Sequence, residues 1–577
     1  MSQYTTYPIC LIPFLDHNDP TRCQMSASQI KQSLRLVDPD IPDICTGYED
    51  VNHLQLHTLN APEDGEIIFK NQNIIIINYV KKGYEYYRLH PFYKIYFNTG
   101  DKIKKDDIVF EYDNCDKGLL KFGKNVLVAY GEYFGFCYED SIVISESAAE
   151  KFKAKKHDTL EYVVQPSEIL LSLSNNNYKP IPEIGEIIKK NDPIFLKKKY
   201  TATSIKTYFD EPEKQVMDKD IKIENIEIYV NTWNNAYPDF NNYIISILNE
   251  SEQSYKNLHK KLKNKLSEDD LSMISQICNV DIHKKVGKYD FPGIKIRVTY
   301  SYEKPVEIGD KFANRHSNKG IVSKIVPDKD MPVTPWGQTV DVVLGFLSII
   351  SRMNIGQVYE IHASLALRNY KNMLLEQFDR DPVNTIETMI KQLKDIDCTN
   401  NKWYTKMLEN TYKKYGANKQ LIEDLVLISP PFEIMSIESL NKFMSYSNTQ
   451  KSYSLTIKGK ETSKALVGYS YIMRLVHTTD KKLAMRSVGK YTMKTLQPMK
   501  STGAQRIGEM EIWAFMAYDA INNLLEINVK SDDMINKINV LRKMYNTGFS
   551  SNVVIEKEKI ASLHLLKTYS NVLGMNF

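Results

Sequence analysis

The chain has 577 residues, with 75 Lys and Arg against 71 Asp and Glu and a formal net charge of +4; it is long enough for several cores, and its near balance of charge excludes a uniformly basic coat, so any nucleic-acid surface must be local. Seven cysteines (Cys10, Cys23, Cys45, Cys115, Cys137, Cys278 and Cys398) show no Cys-x-x-Cys spacing, which argues against zinc and fits a reducing compartment. No apolar run approaches the about 20 residues of a membrane span, and Asp16, His17, Asn18 and Asp19 interrupt the N-terminal apolar patch before it could act as a signal peptide; the expectation is a cytoplasmic protein.

In chain order, residues 1–40 pair an apolar run with a polar segment ending at Arg22, then a helical stretch expected around 29–37. Residues 41–155 read as strands, for example 66–80 and 125–130. Glu139 and Asp140 lie between two strand-like runs; in a strand their side chains would oppose, in a turn they could converge. Residues 156–290 are polar, rich in Lys and Asn and free of arginine, an insertion by composition. Residues 291–365 return to strands, and Ile294, Ile296, Val298 and Tyr300 alternate with Lys295, Arg297 and Thr299. Helical periodicity dominates 366–430, within a region taken as 366–495. In the last segment, 496–577, a helix near 507–527 is apolar almost all round, so it should be buried between domains or subunits.

The densest chemistry is Gly309-Asp310-Lys311-Phe312-Ala313-Asn314-Arg315-His316-Ser317-Asn318-Lys319-Gly320, four potential cations in nine residues between glycines. Such a loop can aim several cations at one phosphate, lysines as movable point charges and arginine as a planar fork. It lacks the order of a P-loop, and a solvated basic hairpin is the plain alternative. Lysine outnumbers arginine about five to one. The twelve arginines nevertheless include Arg22, Arg315, Arg352, Arg486 and Arg506, all inside dense motifs, which hints that guanidinium geometry is needed there.

With Ser351-Arg352-Met353-Asn354-Ile355-Gly356-Gln357, this loop resembles the substrate-side core of the β subunit of multisubunit RNA polymerases. Three more blocks follow the same order: Leu11-Ile12-Pro13-Phe14-Leu15-Asp16-His17-Asn18-Asp19-Pro20-Thr21-Arg22, Tyr138-Glu139-Asp140-Ser141-Ile142-Val143-Ile144-Ser145-Glu146, and Ala504-Gln505-Arg506-Ile507-Gly508-Glu509-Met510-Glu511-Ile512-Trp513-Ala514. The resemblance implies an α+β, multidomain chain: a fork segment at 1–40, the first part of a double-psi β-barrel at 41–155, a flap at 156–290, the second part of the barrel at 291–365, a helical and hybrid-binding region at 366–495, and a helical C-terminal clamp segment at 496–577. A complete β subunit is much longer, so the chain is expected to be the C-terminal half of a split subunit, similar to those of giant bacteriophages.

The resemblance also implies roles. Arg352 and Arg22 would reach the incoming NTP phosphates, Lys311 and Lys319 the initiating nucleotide and RNA 3′ end, and His477 the template or initiating nucleotide. Arg315 and His316 would brace the loop. Asn314 and Ser317 stand where the family usually has glycine, so a local change of backbone is expected. Lys481, Lys482, Arg486, Lys490 and Lys494 would line the RNA–DNA hybrid. Glu139 and Asp140 would act on a second Mg2+ through water, the primary Mg2+ ligands being aspartates of a β′ subunit. Implied partners are the β N-terminal half, β′-like subunits, DNA template, RNA transcript, NTPs and a promoter-specificity factor. The alternative outside this chemistry is a non-catalytic nucleic-acid-binding or assembly subunit that keeps the fold; an RNA-templated polymerase is disfavoured by the fork and C-terminal blocks.

Overall fold

The computed structural model describes residues 5–575 apart from 51–57, 71–73, 90–91, 174–177, 200–210, 234–237, 263–290, 400–401, 434, 488, 491, 493–497, 526, 528–533 and 549–560. It divides into two units, Met1–Thr478 and Thr479–Phe577.

The first unit is organised around seven strands: β1 (Lys124–Tyr130), β2 (Ser141–Ser145), β3 (Lys311–Asn314), β4 (Lys319–Val326), β5 (Val342–Leu344), β6 (Tyr453–Ile457) and β7 (Lys460–Arg474). They follow the order β1-β5-β2-β4-β3-β7-β6. β1 also pairs with β7, from Lys124↔Ile472 to Tyr130↔Leu466, which closes six strands into a ring. β1 runs parallel to β5 and β2 parallel to β4, while the other neighbours are antiparallel. A closed ring has no free edge between its first and last strand. Strand alternation feeds two cores: Val126, Val128 and Tyr130 pack with Phe312 and Val322, whereas Leu127 and Ala129 pack with Val326 and Val343. β7 lies inside the stretch read as helical and hybrid-binding. It is buried on both faces over its last eight residues, so it shows no polar–apolar alternation to mark it as a strand.

Three helices position the site: α1 (Pro20–Lys31), α2 (Leu347–Arg352) and α3 (Gly356–Phe378). α1 begins nine residues before the helix expected at 29–37, because Asp19 caps it by accepting the Thr21 N–H at 3.1 Å and Pro20 takes the first turn. α3 joins Pro382–Ile396, Trp403–Tyr415 and Ile437–Tyr446 around a separate helical core containing Leu367, Tyr370, Ile386, Leu393 and Phe443.

Residues 58–112 do not enter the ring; they build two small sheets over Ile67, Ile75, Ile77 and Val109, and the ring begins only at Lys124. The strand Ile294–Lys304, expected in the second part of the barrel, instead pairs with Ala154–Val164 along its whole length, from Ala154↔Lys304 to Val164↔Ile294. With Ile221–Val230 and Ile187–Ile188 it forms a sheet with its own core, including Phe195, Phe240 and Ile296. Its alternation is real, yet periodicity gives a strand's faces and not its partner.

Arg474 fixes the point where this excursion leaves and returns. It is fully buried, and its guanidinium donates to the carbonyls of Phe152 (3.0 Å), Lys304 (2.8 Å) and Pro305 (2.6 Å) and to Asp310 Oδ2 (2.6 Å). A second tie is aromatic: Arg35 lies 4.0 Å over the Phe92 ring, which meets the His157 ring edge-on at 4.6 Å. His157 is half-buried, and burial first, then the charges of Arg35 and Lys155, lower its pKa from 6.5 to about 4, against weaker pulls from Glu224 and Asp113.

In the second unit the expected apolar helix is two helices, Glu509–Ala517 and Ile521–Leu525, broken at Asp519, whose φ is +55°. Met510, Trp513 and Met516 are exposed in this chain.

Two stability outcomes follow. Asp310→Ala strands a buried guanidinium and is expected to cost about 3–5 kcal/mol in a urea transition, while the double change Asp310→Leu with Arg474→Met recovers most of it. His157 contributes stability that is complete above pH 6.5 and lost as pH falls towards about 4, since unfolded chains take up the proton first. His157→Phe should therefore flatten the decline of the unfolding midpoint across that window by about 1–2 kcal/mol, allowing for solvent screening of a half-buried ring.

Candidate phosphate-binding site

The basic loop is the turn of a β-hairpin. β3 and β4 pair as Lys311↔Ile321, Phe312↔Gly320 and Ala313↔Lys319. Lys311 and Lys319 are thus diagonal neighbours on one face. The middle of the turn points inward. Arg315 and His316 are fully buried on Glu360 of α3: Arg315 Nη2 donates to Oε1 at 2.7 Å and His316 Nε2 meets Oε2 at 2.6 Å. Burial pushes the Glu360 carboxyl up, but the Arg315 charge and the His316 bond prevail and hold it at about 2. Arg315 also donates to the Ile44 carbonyl (2.9 Å). These two side chains brace the loop, as expected.

Amides complete the brace. Gln357 Oε1 accepts from Tyr130 (2.9 Å), Asn314 (2.9 Å) and Asn318 (3.1 Å), and Asn314 Oδ1 accepts from the backbone N–H of His316 (2.9 Å) and Asn318 (3.0 Å). Ser317 takes φ +63°, so the departure from glycine is absorbed as left-handed backbone at a serine, whereas Asn314 stays in its strand.

α1 is held against this turn. Asn18 Nδ2 lies 3.0 Å from His316 Nδ1, Ser26 donates to the Arg315 carbonyl at 2.5 Å, and Gln29 Nε2 donates to Ser317 Oγ at 3.3 Å. Asn18 can only donate through Nδ2, which leaves Nδ1 as acceptor and puts the ring proton on Nε2, which donates to Glu360 Oε2. Arg22, Met25, Gln29 and Gln32, spaced three, four and three, form one face of α1.

Asp140 sits on a turn squeezed between glycines. A Cβ on Gly320 would lie 2.8 Å from the Asp140 carbonyl, and one on Gly345 would lie 2.6 Å from that of Cys137. Glu139 adopts φ +55°, and its side chain is exposed, away from Asp140's role. Arg352 ends α2, with Met353 closing the helix in left-handed backbone. Arg352 Nη2 donates to Asp140 Oδ2 at 2.7 Å and lies 2.6 Å from Oδ1.

These pieces enclose one cavity of about 450 Å3, lined by Arg22, Met25, Ser28, Gln29, Gln32, Asp140, Lys311, Ser317, Lys319, Gly320, Ile321 and Arg352. Four of the cations singled out in the sequence line it together. Among the described residues no carboxylate lies within ion-pair distance of Arg22, Lys311 or Lys319. Burial, and then the Lys311 charge, push the Lys319 ammonium down. A cavity with three unneutralised cations is built for an anion of several charges.

Other expected residues fall elsewhere. His477 does not line the cavity; its Nε2 lies 3.0 Å from Gln32 Oε1, one residue behind the wall. Lys481, Lys482, Arg486 and Lys490 belong to the second unit, where Arg486 Nη2 donates to the Lys490 carbonyl at 3.0 Å. Lys494 lies outside the described residues. No cluster of three metal-ligating side chains occurs among the described residues, so Glu139 and Asp140 form no such cluster. No described helix is long and apolar enough to cross a membrane. The sequence reading missed the Gln29 and Gln32 wall, though the three-four-three spacing from Arg22 carried it, and it missed Glu360.

Residues 10–503 match the family described as RNA polymerase Rpb2, domain 6. The chain is 27% identical to DNA-directed RNA polymerase subunit beta of Ehrlichia ruminantium (strain Gardel), over 93% of this chain and 47% of the relative. It is 28% identical to that of Euglena longa, over 99% and 51%, and 27% identical to that of Thermus thermophilus, over 91% and 46%. The chain thus spans about half the length of the curated relatives it matches. With most of its length matched, from ahead of α1 to beyond β7, the chain belongs to the RNA polymerase Rpb2 domain 6 family.

Proposed function

We propose that the chain is a catalytic-core part of the β subunit of a DNA-directed RNA polymerase and holds the phosphates of the incoming NTP and the RNA 3′ end. The observation that carries this is the convergence of Arg22, Lys311, Lys319 and Arg352, from three distant segments, on one cavity. In nucleotidyl transfer the RNA 3′-hydroxyl attacks the α-phosphate and pyrophosphate leaves, so negative charge grows on the leaving group. Arg352 and Arg22 would fork onto phosphate oxygens, and the two hairpin lysines would neutralise the polyphosphate without holding it in one orientation. His477 would act through Gln32, setting the wall beside the nucleotide.

Mg2+ would supply charge neutralisation and activation of the hydroxyl. Asp140 and Glu139 would reach it only through water, and a β′-like partner would provide the primary carboxylates. Large apolar side chains flanking the site in sequence, Tyr138, Ile350 and Met353, are exposed and suit cover by such a partner, as do Met510, Trp513 and Met516 in the second unit. Lys481, Lys482, Arg486, Lys490 and Lys494 would contact hybrid phosphates without reading bases. The closed six-stranded ring with two parallel pairs supports a double-psi barrel, and the 154–304 excursion supports a flap. The remaining β portion, supplied as in split giant-phage enzymes, together with DNA, RNA and a promoter-specificity factor, would complete an assembly in the host cytoplasm.

The test is template-directed NTP incorporation by the complex isolated on the tagged chain, with its partners identified by mass. Arg352→Ala is expected to lower kcat/KM by about 100-fold or more, as removal of a charge-stabilising donor does, and Arg352→Lys to restore only part. Lys319→Ala should lower it by about 10-fold and weaken the dependence on NTP phosphate charge. An active complex indifferent to both changes, or one without a carboxylate-supplying partner, would favour the non-catalytic binding or assembly role instead.

A further inference from the structure

The cavity treats its four cations unequally. Arg22, Lys311 and Lys319 face it without an ion-pair partner among the described residues, whereas Arg352 is engaged by Asp140. The engagement is lopsided: one nitrogen, Nη2, donates to Oδ2 at 2.7 Å and lies 2.6 Å from Oδ1, which has no hydrogen-bond partner, and no other hydrogen bond from Arg352 occurs among the described residues. A side-by-side fork would use two nitrogens and be harder to undo. The Asp140 side chain retains 42% of its exposure and Arg352 19%, so water can take over the carboxylate once the guanidinium leaves. The backbone on both sides is fixed, by the glycine-clamped turn under Asp140 and by the left-handed residue that ends α2 after Arg352. Exchange of partner therefore needs only side-chain motion.

We propose that Asp140 competes with the bound polyphosphate for Arg352, so that the arginine is held in reserve until an anion seated on Arg22, Lys311 and Lys319 outbids the carboxylate. The inference rests on the phosphate-binding reading above. Its physical basis is the ordering of pair strengths: a carboxylate–arginine pair whose carboxylate is partly open to water is weakened by it, while a charge-assisted bidentate contact to phosphate is strong. Asp140 is thereby a specificity element. It costs a ligand that cannot present enough charge to claim Arg352, and it leaves a polyphosphate bound by all four cations.

The experiment is calorimetric titration of the full chain with sodium tripolyphosphate in EDTA, which removes metal from the comparison. Asp140→Asn is nearly isosteric and is expected to bind tripolyphosphate about three- to fivefold more tightly than the unmodified chain. Arg352→Ala should bind more weakly, and Asp140→Asn added to Arg352→Ala should recover distinctly less than it gains alone. That coupling separates competition for the guanidinium from simple repulsion of the anion by a nearby carboxylate. Equal gains in both backgrounds would overturn the proposal, leaving through-space repulsion. Weaker binding by Asp140→Asn would overturn it in the opposite sense, making Asp140 an anchor that aims Arg352. Failure of the phosphate reading itself looks different: tripolyphosphate binding that is absent, or unaffected by Lys311→Ala and Lys319→Ala, would remove both conclusions.

Discussion

A single buried carboxylate sets the geometry on which the site depends. Glu360 comes from the second turn of α3, yet it holds Arg315 and His316 at the tip of a hairpin from another part of the chain. A buried anion without partners would be costly, and a buried guanidinium equally so; Glu360 pairs with Arg315 and His316, while Arg315 Nη2 also donates to the Ile44 carbonyl and Nη1 lies 3.9 Å from the Glu49 carboxylate. By drawing Arg315 and His316 inward, the network leaves the two loop lysines facing out. The division of labour between bracing and binding is thus a matter of which side of the hairpin meets Glu360.

The same economy runs through the rest of the first unit. α1 meets the hairpin through an apolar cluster that joins Cys23 and Ile30 to Ala313 and through polar contacts from Ser26, Gln29 and the preceding Asn18, so hydrogen bonds to the turn that Glu360 holds help to aim Arg22. Arg352 and Asp140 arrive from α2 and from a turn that two glycines allow to approach. Directional polar contacts, not apolar packing alone, bring the three segments to one cavity, which is what a charged ligand requires of a rigid frame.

Much of the site was legible because arginine is scarce in a lysine-rich chain, and Arg22 and Arg352 stood inside dense motifs. The strands at 66–80 and 125–130 were legible from their apolar character. What escaped did so for physical reasons. β7 is buried on both faces and so lacks the alternation that marks a half-exposed strand. The alternation at Ile294–Lys304 marks a strand but not its partner, since register with Ala154–Val164 is a tertiary fact. Glu360 looks like any helical glutamate until the hairpin folds onto it, and nothing in the sequence around Arg474 marks it as fully buried. The start of α1 is marked in the sequence by Asp19 as cap and Pro20 in the first turn, nine residues ahead of the stretch expected at 29–37.

Arg474 joins the carbonyls of Phe152, Lys304 and Pro305 within one guanidinium. Everything between those residues is a loop whose two ends are tied at a common point on the ring. The entropy of closing such a loop grows only with the logarithm of its length. An excursion anchored this way can gain or lose whole strands and helices while the ring feels the same boundary. The arginine acts as a socket, and what is plugged into it is free to diverge in size at little expense to the frame that carries the phosphate site.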